Sequence, residues 1–508
     1  MDRYVYEGMI GRLEAQSEHS PALFRTKVLL ISGAAYIALF ASLAAIVAIV
    51  YFGFTWARNA NRASMFTIAI FGITMIPVFF TVLRMFFMRL PPPDGRRIVR
   101  EEAPKLFDII DKMRRKLKGP PIHHVLVDER FNAAVAQRAR WGFFGGHTNY
   151  LILGLPYLLG VPPNEMLATV AHEYGHLCGN HGRLSAWIYR QRRTFRALHK
   201  KVDDERDSSW AHTLLAAALD RFMPYYNAYT FVLSRQNEYE ADRTATQVAG
   251  AEANACGLVR DTLLGRWFDE SFWPAIFKQA GAASRPAVMP YAAMRTAFKA
   301  SYPEWADAQR LADAWREPSG LLDTHPALRD RVEATGQSPK LPGPVEVTAA
   351  EIMLGAGTAR RLIQEFDEAW WATERKEWEA HNRHVVRSKQ RLQELSVRPL
   401  QALALHDLQE LALLKAEFES STAAKPVFEH LLNQPGGPFP KAAYCYGRLL
   451  LDESDARGLA YLTKAAETDG SLIESAANAG YDYLLAEKGE SAALAWWNKL
   501  MAQRQDAA

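Results

Sequence analysis

The chain has 508 residues, more than one hydrophobic core usually organises, so its length predicts roughly two to four domains. Its formal net charge of +4 is near neutral for this size, and its basic residues are scattered rather than grouped with aromatic ones, which argues against a nucleic acid partner. The three cysteines, Cys178, Cys256 and Cys445, are far apart and odd in number, so they favour reduced thiols over a disulfide framework.

Two runs near the N-terminus, 28–57 and 63–83, contain no charged side chain. A helix needs about 20 apolar residues to cross the hydrocarbon core, so both runs are predicted to be transmembrane helices. A buried core hairpin is the alternative; a signal peptide fits poorly because the first run is long and starts late. Lys and Arg concentrate before the first run and after the second, which predicts that both termini and the whole chain after residue 90 are cytoplasmic. We therefore expect an integral protein of the bacterial inner membrane, with the lipid bilayer as a partner.

The sequence LPPPDG after the second run cannot continue a helix and marks the start of a globular domain. An amphipathic helix is predicted at 101–118, and β-branched, apolar segments predict strands at 122–128 and 149–155. A helix follows at about 164–180, with Asn164 as its N-cap. These elements indicate a small sheet packed with helices.

Residues 208–233 are mostly apolar but contain Asp220 and Arg221, which argues against a third span. We favour a helical pair, formed by 183–207 and 208–233, that packs over the globular domain; a membrane-facing amphipathic helix is the alternative. The segment 360–398 lacks Pro and Gly and is rich in charged residues. It therefore predicts one long, solvated helix.

Helix-length apolar patterns recur in pairs after Pro399, at 402–418 with 422–433, 441–451 with 455–467, and 471–485 with 488–503. Gly447 and Gly480 lie 33 residues apart, close to the period of about 34 residues in tetratricopeptide repeats. Three stacked helical hairpins are therefore predicted, with a possible protein partner; an irregular helical bundle is the alternative.

The sequence AHEYGHLCGNHG at 171–182 carries the main chemical signal. His172 and His176 are four residues apart, so on a helix both imidazoles leave one face and can bind a single metal ion at about 2 Å each. Glu173 lies beside them, where its carboxylate can take a proton from a water molecule polarised by zinc. A pair of solvated or core histidines is the alternative. The surrounding apolar residues, and Gly175 beneath the pair, favour the metal site.

An open catalytic zinc site needs a third protein ligand. His181 lies five residues after His176, one fewer than the metzincin pattern requires. Glu238, on a predicted helix farther along the chain, is favoured instead. Asp242, four residues after it, is predicted to accept the N–H of a ligand histidine. Glu240 is a local rival of Glu238, but its phase on a helix points away from Asp242.

The motifs resemble those of the HtpX-like and CAAX-prenyl-protease family of membrane zinc metallopeptidases, of gluzincin type. The resemblance covers roughly residues 95–340 and rests on four blocks in the family's order. These blocks are NAAVAQ at 132–137, LILGLPYLL with ATVAHEYGHLCGNHG at 151–182, SRQNEYEADRTA at 234–245 and THPALRDR at 324–331.

The resemblance implies a ligand set and a base that agree with the spacing, namely His172, His176 and Glu238 as ligands with Glu173 as catalytic base. It also places His325 and Arg331 near the site, where they polarise the substrate carbonyl or position the catalytic groups. From the residues alone, a helix cap at His325 and a surface charge at Arg331 are equal alternatives.

The resemblance further implies an edge strand that pairs with an extended peptide substrate. Its residues are Asn149, Tyr150, Leu151, Ile152, Leu153 and Gly154. The chain departs from the family in two respects. It shows two spans rather than a multi-span chamber, which argues against cleavage of prenylated peptides in a membrane cavity. Its C-terminal repeats are not general in the family, and we expect them to serve substrate delivery or partner choice.

We predict a mainly α fold with two N-terminal transmembrane helices, a zincin-like α+β catalytic core with a small sheet, and a C-terminal region of α-helical repeats. The predicted segments are a cytoplasmic N-terminal segment at 1–27, a transmembrane hairpin at 28–90, a zinc metallopeptidase domain at 91–345, a charged helical linker at 346–399 and repeats at 400–508.

The predicted function is zinc-dependent cleavage of unfolded or membrane-associated proteins, with one Zn²⁺ per chain and a zinc-bound water activated by Glu173. A tetratricopeptide-type adaptor with a non-proteolytic peptidase domain is the alternative. A scaffold has no need of Glu173 or Glu238, and the chain keeps both. A zinc hydrolase for a small molecule is a third hypothesis, which requires a closed pocket rather than an open edge strand.

Overall fold

The computed structural model is mainly helical with one small sheet, which confirms the coarse fold class. The chain divides into two compact units, Met1–Ile276 with Val288–Thr373 and Phe277–Ala287 with Glu374–Ala508. The predicted domain boundaries stay predictions. The structure describes residues 3–57, 66, 91–140, 146–178, 187–188, 191–192, 195–196, 199–200, 202–204, 210–320, 323 and 325–506.

Two helices, α1 (Arg3–His19) and α2 (Pro21–Ala57), begin the described chain. The first predicted span falls within α2, whereas the second, 63–83, lies outside the described residues except for Phe66. In the part of the chain that the structure describes, no helix combines the length and the apolar character needed to cross a membrane. The two predicted transmembrane helices are therefore not confirmed.

The sheet has four strands, and its order is β1-β2-β4-β3. Strands β2 and β4 run parallel, whereas β1 on β2 and β3 on β4 are antiparallel. The predicted strand at 122–128 is confirmed as β2. The strand bounds are β1 Arg96–Ile98, β2 His124–Asp128, β3 Ala133–Ala139 and β4 His147–Gly154.

Helix α3 (Pro104–Leu117) connects β1 to β2 and confirms the predicted helix at 101–118 within a few residues. Its buried side chains, Leu106, Ile110 and Met113, recur at three- and four-residue spacing. Such spacing places them on one face of the helix, which is the amphipathic pattern that the sequence predicts.

The predicted edge strand, 149–154, is not an edge strand. It lies in β4, where Leu151 pairs with Val125 of β2 on one side and with Val135 of β3 on the other. The side chains of Leu151 and Leu153 are almost completely buried, as is typical of a strand with neighbours on both sides. The outer strand on this side of the described sheet is β3, whose sequence AAVAQRA has smaller and more polar residues.

The short buried helix α4 (Leu155–Gly160) leads to α5 (Pro163–Gly175). Pro163 occupies the first helical position, where its missing N–H costs nothing. The N-cap residue is therefore Pro162, and the predicted cap at Asn164 is wrong. Helix α5 also ends earlier than predicted, at the glycine that allows a close helix crossing.

Helix α6 (Trp210–Ala249) packs against α5 at that glycine. A Cβ atom at Gly175 would come within 3.1 Å of the Thr244 side chain and 3.2 Å of the Ala241 Cα atom. The lack of a side chain at Gly175 therefore sets the close approach of the two helices, which agrees with the packing that the sequence predicts.

Helix α7 (Ala251–Trp267) follows α6 after a single residue, Gly250, whose φ of +96° favours glycine. A buried ion pair joins α7 to α5. Arg260 donates two hydrogen bonds to Glu165, of 2.6 and 3.0 Å, and a third to the Gly343 carbonyl. This pair fixes α5 on a second side.

The N-terminal helices pack against α6. One cluster joins α1 and α2 to the middle of α6, through Ile10, Leu13, Phe24, Val28, Ala228, Phe231 and Val232. A second joins α2 to the first half of α6 and the segment before it, through Ala35, Phe195, Val202, Ala216, Leu219, Met223 and Tyr226. The apolar segment at 208–233 thus buries side chains against α1 and α2. Its packing over the catalytic core stays a prediction.

The remaining helices of this unit are short and surround α7. They are α8 (Trp273–Lys278, which crosses into the second unit), α9 (Pro290–Ala300), α10 (Tyr302–Trp305), α11 (Ala308–Arg316) and α12 (Leu328–Ala334), with π-helical turns at Phe268–Phe272 and Ala350–Leu354.

The second unit is helical in its described part. The long helix α13 (Ala356–Ser396) belongs to this unit from residue 374 onward. It confirms the predicted charged helix. Trp378 and Asn382 of α13 donate hydrogen bonds to the carbonyls of Ala283 and Ala280. Six further helices follow, α14 (Leu405–Phe418), α15 (Ser421–Leu432), α16 (Pro440–Asp452), α17 (Gly458–Thr468), α18 (Ile473–Lys488) and α19 (Glu490–Asp506).

These six helices lie within a few residues of the predicted apolar segments. Gly447 of α16 and Gly480 of α18 each meet the following helix, where an added Cβ would contact Gly458 or Trp496 at under 3 Å. The two glycines, 33 residues apart, thus occupy similar packing positions. The assignment to tetratricopeptide repeats is not confirmed.

Candidate metal centre

Two helices bring the predicted site residues together. His172 and Glu173 lie in the last turn of α5, and His176 follows directly as the C-cap residue. Glu238 and Asp242 lie one turn apart on α6. The packing of α5 against α6 therefore places the downstream carboxylates beside the histidine pair.

Both histidines approach the carboxylate of Glu238, each at a different oxygen. His172 Nε2 lies 3.4 Å from Glu238 Oε2, and His176 Nε2 lies 3.6 Å from Glu238 Oε1. Ligand atoms about 2 Å from a tetrahedral zinc ion lie roughly 3.3 Å from one another, so these separations fit such an ion. Two imidazoles and one carboxylate are also a donor set of catalytic zinc sites with an open position.

Glu173 completes the group. The possible ligand atoms of His172, Glu173 and His176 all lie within 4.8 Å of one another. The Glu173 carboxylate accepts a 3.2 Å hydrogen bond from the backbone N–H of Val135 in β3. Burial raises the pKa of Glu173, and the nearby charge of His172 opposes this. A carboxylate with a raised pKa accepts protons more readily, which suits a general base.

Asp242 orients His172 from behind. Its Oδ1 lies 2.9 Å from His172 Nδ1, so Nε2 is left to face Glu238. Arg331, on α12, donates to both oxygens of Asp242, over 2.9 Å from Nε and 2.8 Å from Nη2. Arg331 is only 14% exposed, so the alternative of a surface charge is wrong. A fork of this kind holds the carboxylate plane and, through it, the imidazole.

Burial and neighbouring groups shift the pKa values of the titratable side chains in the site. Burial alone would lower the pKa of His172, but its hydrogen bonds to Asp242 and Glu238 outweigh burial and raise it to about 9. Burial and the neighbouring charge of His172 lower the pKa of His176 to about 4. Burial would raise the pKa of Glu238, but the hydrogen bonds from His172 and His325 hold it well below its usual range. The carboxylates of Asp242 and Glu238 thus favour positive charge beside His172.

His325 lies on the other side of Glu238, with its Nδ1 2.7 Å from Glu238 Oε2. Its side chain is 63% exposed, so the imidazole is accessible to a substrate. Helix α12 begins at Leu328 with Ala327 as its N-cap, so the alternative of a helix cap at His325 is wrong. A cavity of about 340 Å³, open to solvent, lies beside His325 and is bordered by Thr262 of α7.

Residues 143–337 match the sequence model of peptidase family M48. This match and the His-Glu-His group support a metallopeptidase. No curated protein matches the chain. The finer likeness to HtpX-like and CAAX-prenyl proteases is not confirmed, and the block NAAVAQ at 132–137 precedes the matched stretch.

The metallopeptidase stretch runs from β4 to just past α12 and contains each predicted catalytic and ligand position. Those positions are His172, Glu173, His176, Glu238, Asp242, His325 and Arg331. The N-terminal helices and the helices after α12 lie outside it.

Two features of the metallopeptidase site were not predicted from the sequence. The first is the hydrogen bond between the Val135 N–H and Glu173, which places β3 beside Glu173. The small and polar residues of β3 are the signal that distinguishes it from the continuously apolar β4. The second is Arg235, one turn before Glu238, which binds the segment that carries His325. No local pattern predicts that contact.

Proposed function

We propose that this protein is a membrane-anchored zinc endopeptidase that cleaves peptide bonds of unfolded or membrane-associated proteins. The observation that carries the proposal is the convergence of His172 Nε2, His176 Nε2 and the Glu238 carboxylate at separations of 3.4 and 3.6 Å, with Glu173 beside them. One zinc ion per chain fits these three ligands.

When bound, zinc would polarise the scissile carbonyl and lower the pKa of a water molecule. The Glu173 carboxylate takes the proton of the attacking water and passes it to the leaving amine, so the base is restored. His325 is exposed and close to Glu238, so it is placed to donate a hydrogen bond to the carbonyl oxygen as negative charge develops there. Arg331 acts through Asp242, by holding His172 in the tautomer that leaves Nε2 free.

The substrate binds as an extended chain along β3. The Gly154 N–H donates to the Asn132 carbonyl, which directs the backbone of residue 132 towards β4. Since strand residues alternate, Val135 directs its N–H the opposite way, and its bond to Glu173 agrees with this. An added peptide strand would pair along this outer edge of β3, beside Glu173. Backbone pairing favours unfolded segments over particular side chains.

Membrane anchoring is proposed from the charge-free runs 28–57 and 63–83, of which the first forms the greater part of α2. The positive-inside rule places the catalytic unit and both termini in the cytoplasm, in a bacterial inner membrane. The C-terminal helices are proposed as repeats that bind a protein partner. Extraction of membranes at alkaline pH tests the anchoring, because an integral protein stays in the pellet.

The function is tested by metal content and casein cleavage of the full chain in detergent. Wild type is compared with Glu173→Gln and with Glu252→Gln, a control whose exposed side chain pairs with Lys340 at the surface. We expect about one zinc in all three proteins and cleavage by wild type and the control alone. A chelator should abolish cleavage, and added zinc should restore it.

Two outcomes would count against the proposal. Equal cleavage by wild type and Glu173→Gln would exclude Glu173 as the base. A zinc-loaded wild type that cleaves no unfolded protein would favour the adaptor hypothesis.

A further inference from the structure

Arg235 lies on α6 one turn before Glu238, and its guanidinium joins three parts of the chain. It forms an ion pair with Glu14 of α1. Its Nη2 donates a 2.7 Å hydrogen bond to the Gly320 carbonyl, and its Nε donates one of 3.3 Å to the Asp323 carbonyl. The side chain is 14% exposed. Such a buried, multiply bonded fork is a rigid connection rather than a solvated charge.

The two carbonyls belong to the connection between α11 and α12, residues 317–327, which we name the His325 loop. Its described residues form no regular helix or strand. The loop is braced internally, since the Gly320 N–H donates to the Asp323 carboxylate and the Ala327 N–H donates to Ser319 Oγ. The hydrogen bonds from Arg235 hold this loop at a point two residues before His325. The position of the imidazole beside Glu238 therefore depends on these hydrogen bonds.

The N-terminal helices hold the same part of α6. The Gln236 side chain donates a 3.1 Å hydrogen bond to the Ser17 carbonyl at the end of α1. Arg25, near the start of α2, forms an ion pair with Glu240. The contacts at 235, 236 and 240 lie on both sides of Glu238 in the sequence, so α1 and α2 brace the stretch of α6 that supplies the third ligand.

We propose that Arg235 is a positioning residue for the peptidase reaction, and that α1 takes part in the active site by holding Arg235 through Glu14. The inference rests on the proposed function. Glu14 fixes the guanidinium, the guanidinium fixes the His325 loop, and the loop places His325 where the carbonyl oxygen of the substrate develops charge. Small displacements of such a group are costly, because catalysis depends on its geometry in the transition state.

The test uses full-length zinc-loaded protein with Arg235→Gln, Glu14→Gln and, as a matched control, Arg243→Gln. Arg243 is on the same helix and its side chain is 69% exposed. We expect Arg235→Gln to lower kcat about 10- to 100-fold, because a displaced catalytic group loses effects of this size. Glu14→Gln should cause a smaller fall and the control none. KM and zinc content should not change, because among the described residues the guanidinium of Arg235 bonds to Glu14, Gly320 and Asp323, and these are neither in β3 nor proposed ligands.

A double substitution separates positioning from general destabilisation. If Arg235 acts through His325, Arg235→Gln should not lower kcat further in a His325→Ala background, because coupled residues are not additive. Amide hydrogen exchange provides a readout apart from activity. Exchange in the His325 loop should be faster in Arg235→Gln and Glu14→Gln than in wild type, and unchanged in Arg243→Gln.

The inference would be overturned by an unchanged kcat in Arg235→Gln. It would also be overturned if Arg235→Gln lowered kcat as much in the His325→Ala background as in wild type, or if the variant lost zinc in proportion to its loss of kcat. Failure of the proposed function is distinguishable from these results, since it would appear as a zinc-loaded wild type without cleavage. In that case loop exchange still tests whether Glu14 and Arg235 hold the loop.

Discussion

Asp242→Asn is the substitution that tests how the proposed ligand His172 is oriented. Asparagine keeps the shape of the side chain but removes its negative charge and one of its two acceptor oxygens. In the wild-type protein, Asp242 Oδ1 lies 2.9 Å from His172 Nδ1, and the carboxylate accepts two hydrogen bonds from Arg331. The variant cannot satisfy all three, and Arg331 would lose the carboxylate that pairs with it in a site where it is 14% exposed.

The expected size follows from these contacts. Loss of a carboxylate that orients a ligand histidine typically weakens metal binding about 10- to 100-fold, which corresponds to about 1.4–2.8 kcal/mol. The dissociation constant for zinc is measured on the full chain by competition with a chromophoric chelator. Asp313→Asn is the control, because Asp313 lies at the surface of α11. An unchanged zinc affinity in Asp242→Asn would refute the orienting role.

Three further substitutions probe the surroundings of the site. Arg260→Met leaves Glu165 buried without its partner and should lower the free energy of unfolding by about 3–5 kcal/mol, measured by chemical denaturation. Val135→Pro removes the N–H that binds Glu173 and hinders strand pairing at the outer edge of β3. A hydrogen bond to a charged group contributes about 1.5–3 kcal/mol, so kcat/KM for a peptide should fall roughly 10- to 100-fold. Gly175→Ala places a Cβ atom against Thr244 of α6 and pushes α5 away from α6. It should lower the free energy of unfolding by about 1–3 kcal/mol, measured by thermal unfolding, with loss of zinc.

Each of these substitutions has a matched control. The double variant Glu165→Met with Arg260→Met should recover much of the lost stability, because a packed apolar pair avoids an unpaired buried charge. Val135→Ala keeps the backbone N–H and should keep the activity. Gly357→Ala, in α13 with open space around its Cβ position, should not destabilise the protein. Equal effects of a substitution and its control would contradict the reasoning.

The grouping of the proposed ligand residues could be predicted from the sequence because their spacing is local. His172 and His176 are separated by one helical turn, and the structure places them at the end of α5. Glu238 and Asp242 repeat the same spacing on α6. A helix converts a four-residue separation into a shared face, whatever the rest of the fold does. The contact between α5 and α6 is harder to predict from the sequence, since Gly175 indicates close packing but not which helix packs there.

The order of the strands could not be predicted, because pairing depends on contacts between distant residues. β4 is inserted between β2 and β3 although β3 precedes it in the chain. The apolar character of a strand indicates that it is buried. The prediction that 149–154 is an edge strand came instead from the family resemblance. The continuous apolar run LILGL argues for two neighbours, and that physical signal is the better guide here.

Arg235 shows a second limit of local reasoning. In sequence it is one charged residue before a candidate ligand, and its partners lie 221 residues upstream, at Glu14, and 85 and 88 residues downstream. No periodicity connects positions so far apart. The burial of the guanidinium and its three bonds are visible only after folding, although they decide how the His325 loop is held.

One helix connects the proposed anchor to the proposed catalytic centre. Near Tyr226 of α6, a buried chain of hydrogen bonds runs from the Tyr226 hydroxyl to Gln191, and from Gln191 to the Ser32 carbonyl of α2. Glu238 lies twelve residues farther along α6, which is about 18 Å at 1.5 Å per residue. If α2 continues into the bilayer as proposed, this fixed length holds the cleft near the membrane surface. Such a cleft favours substrate segments that emerge close to the membrane over distant soluble chains, because tethering raises the local concentration of the nearby segments.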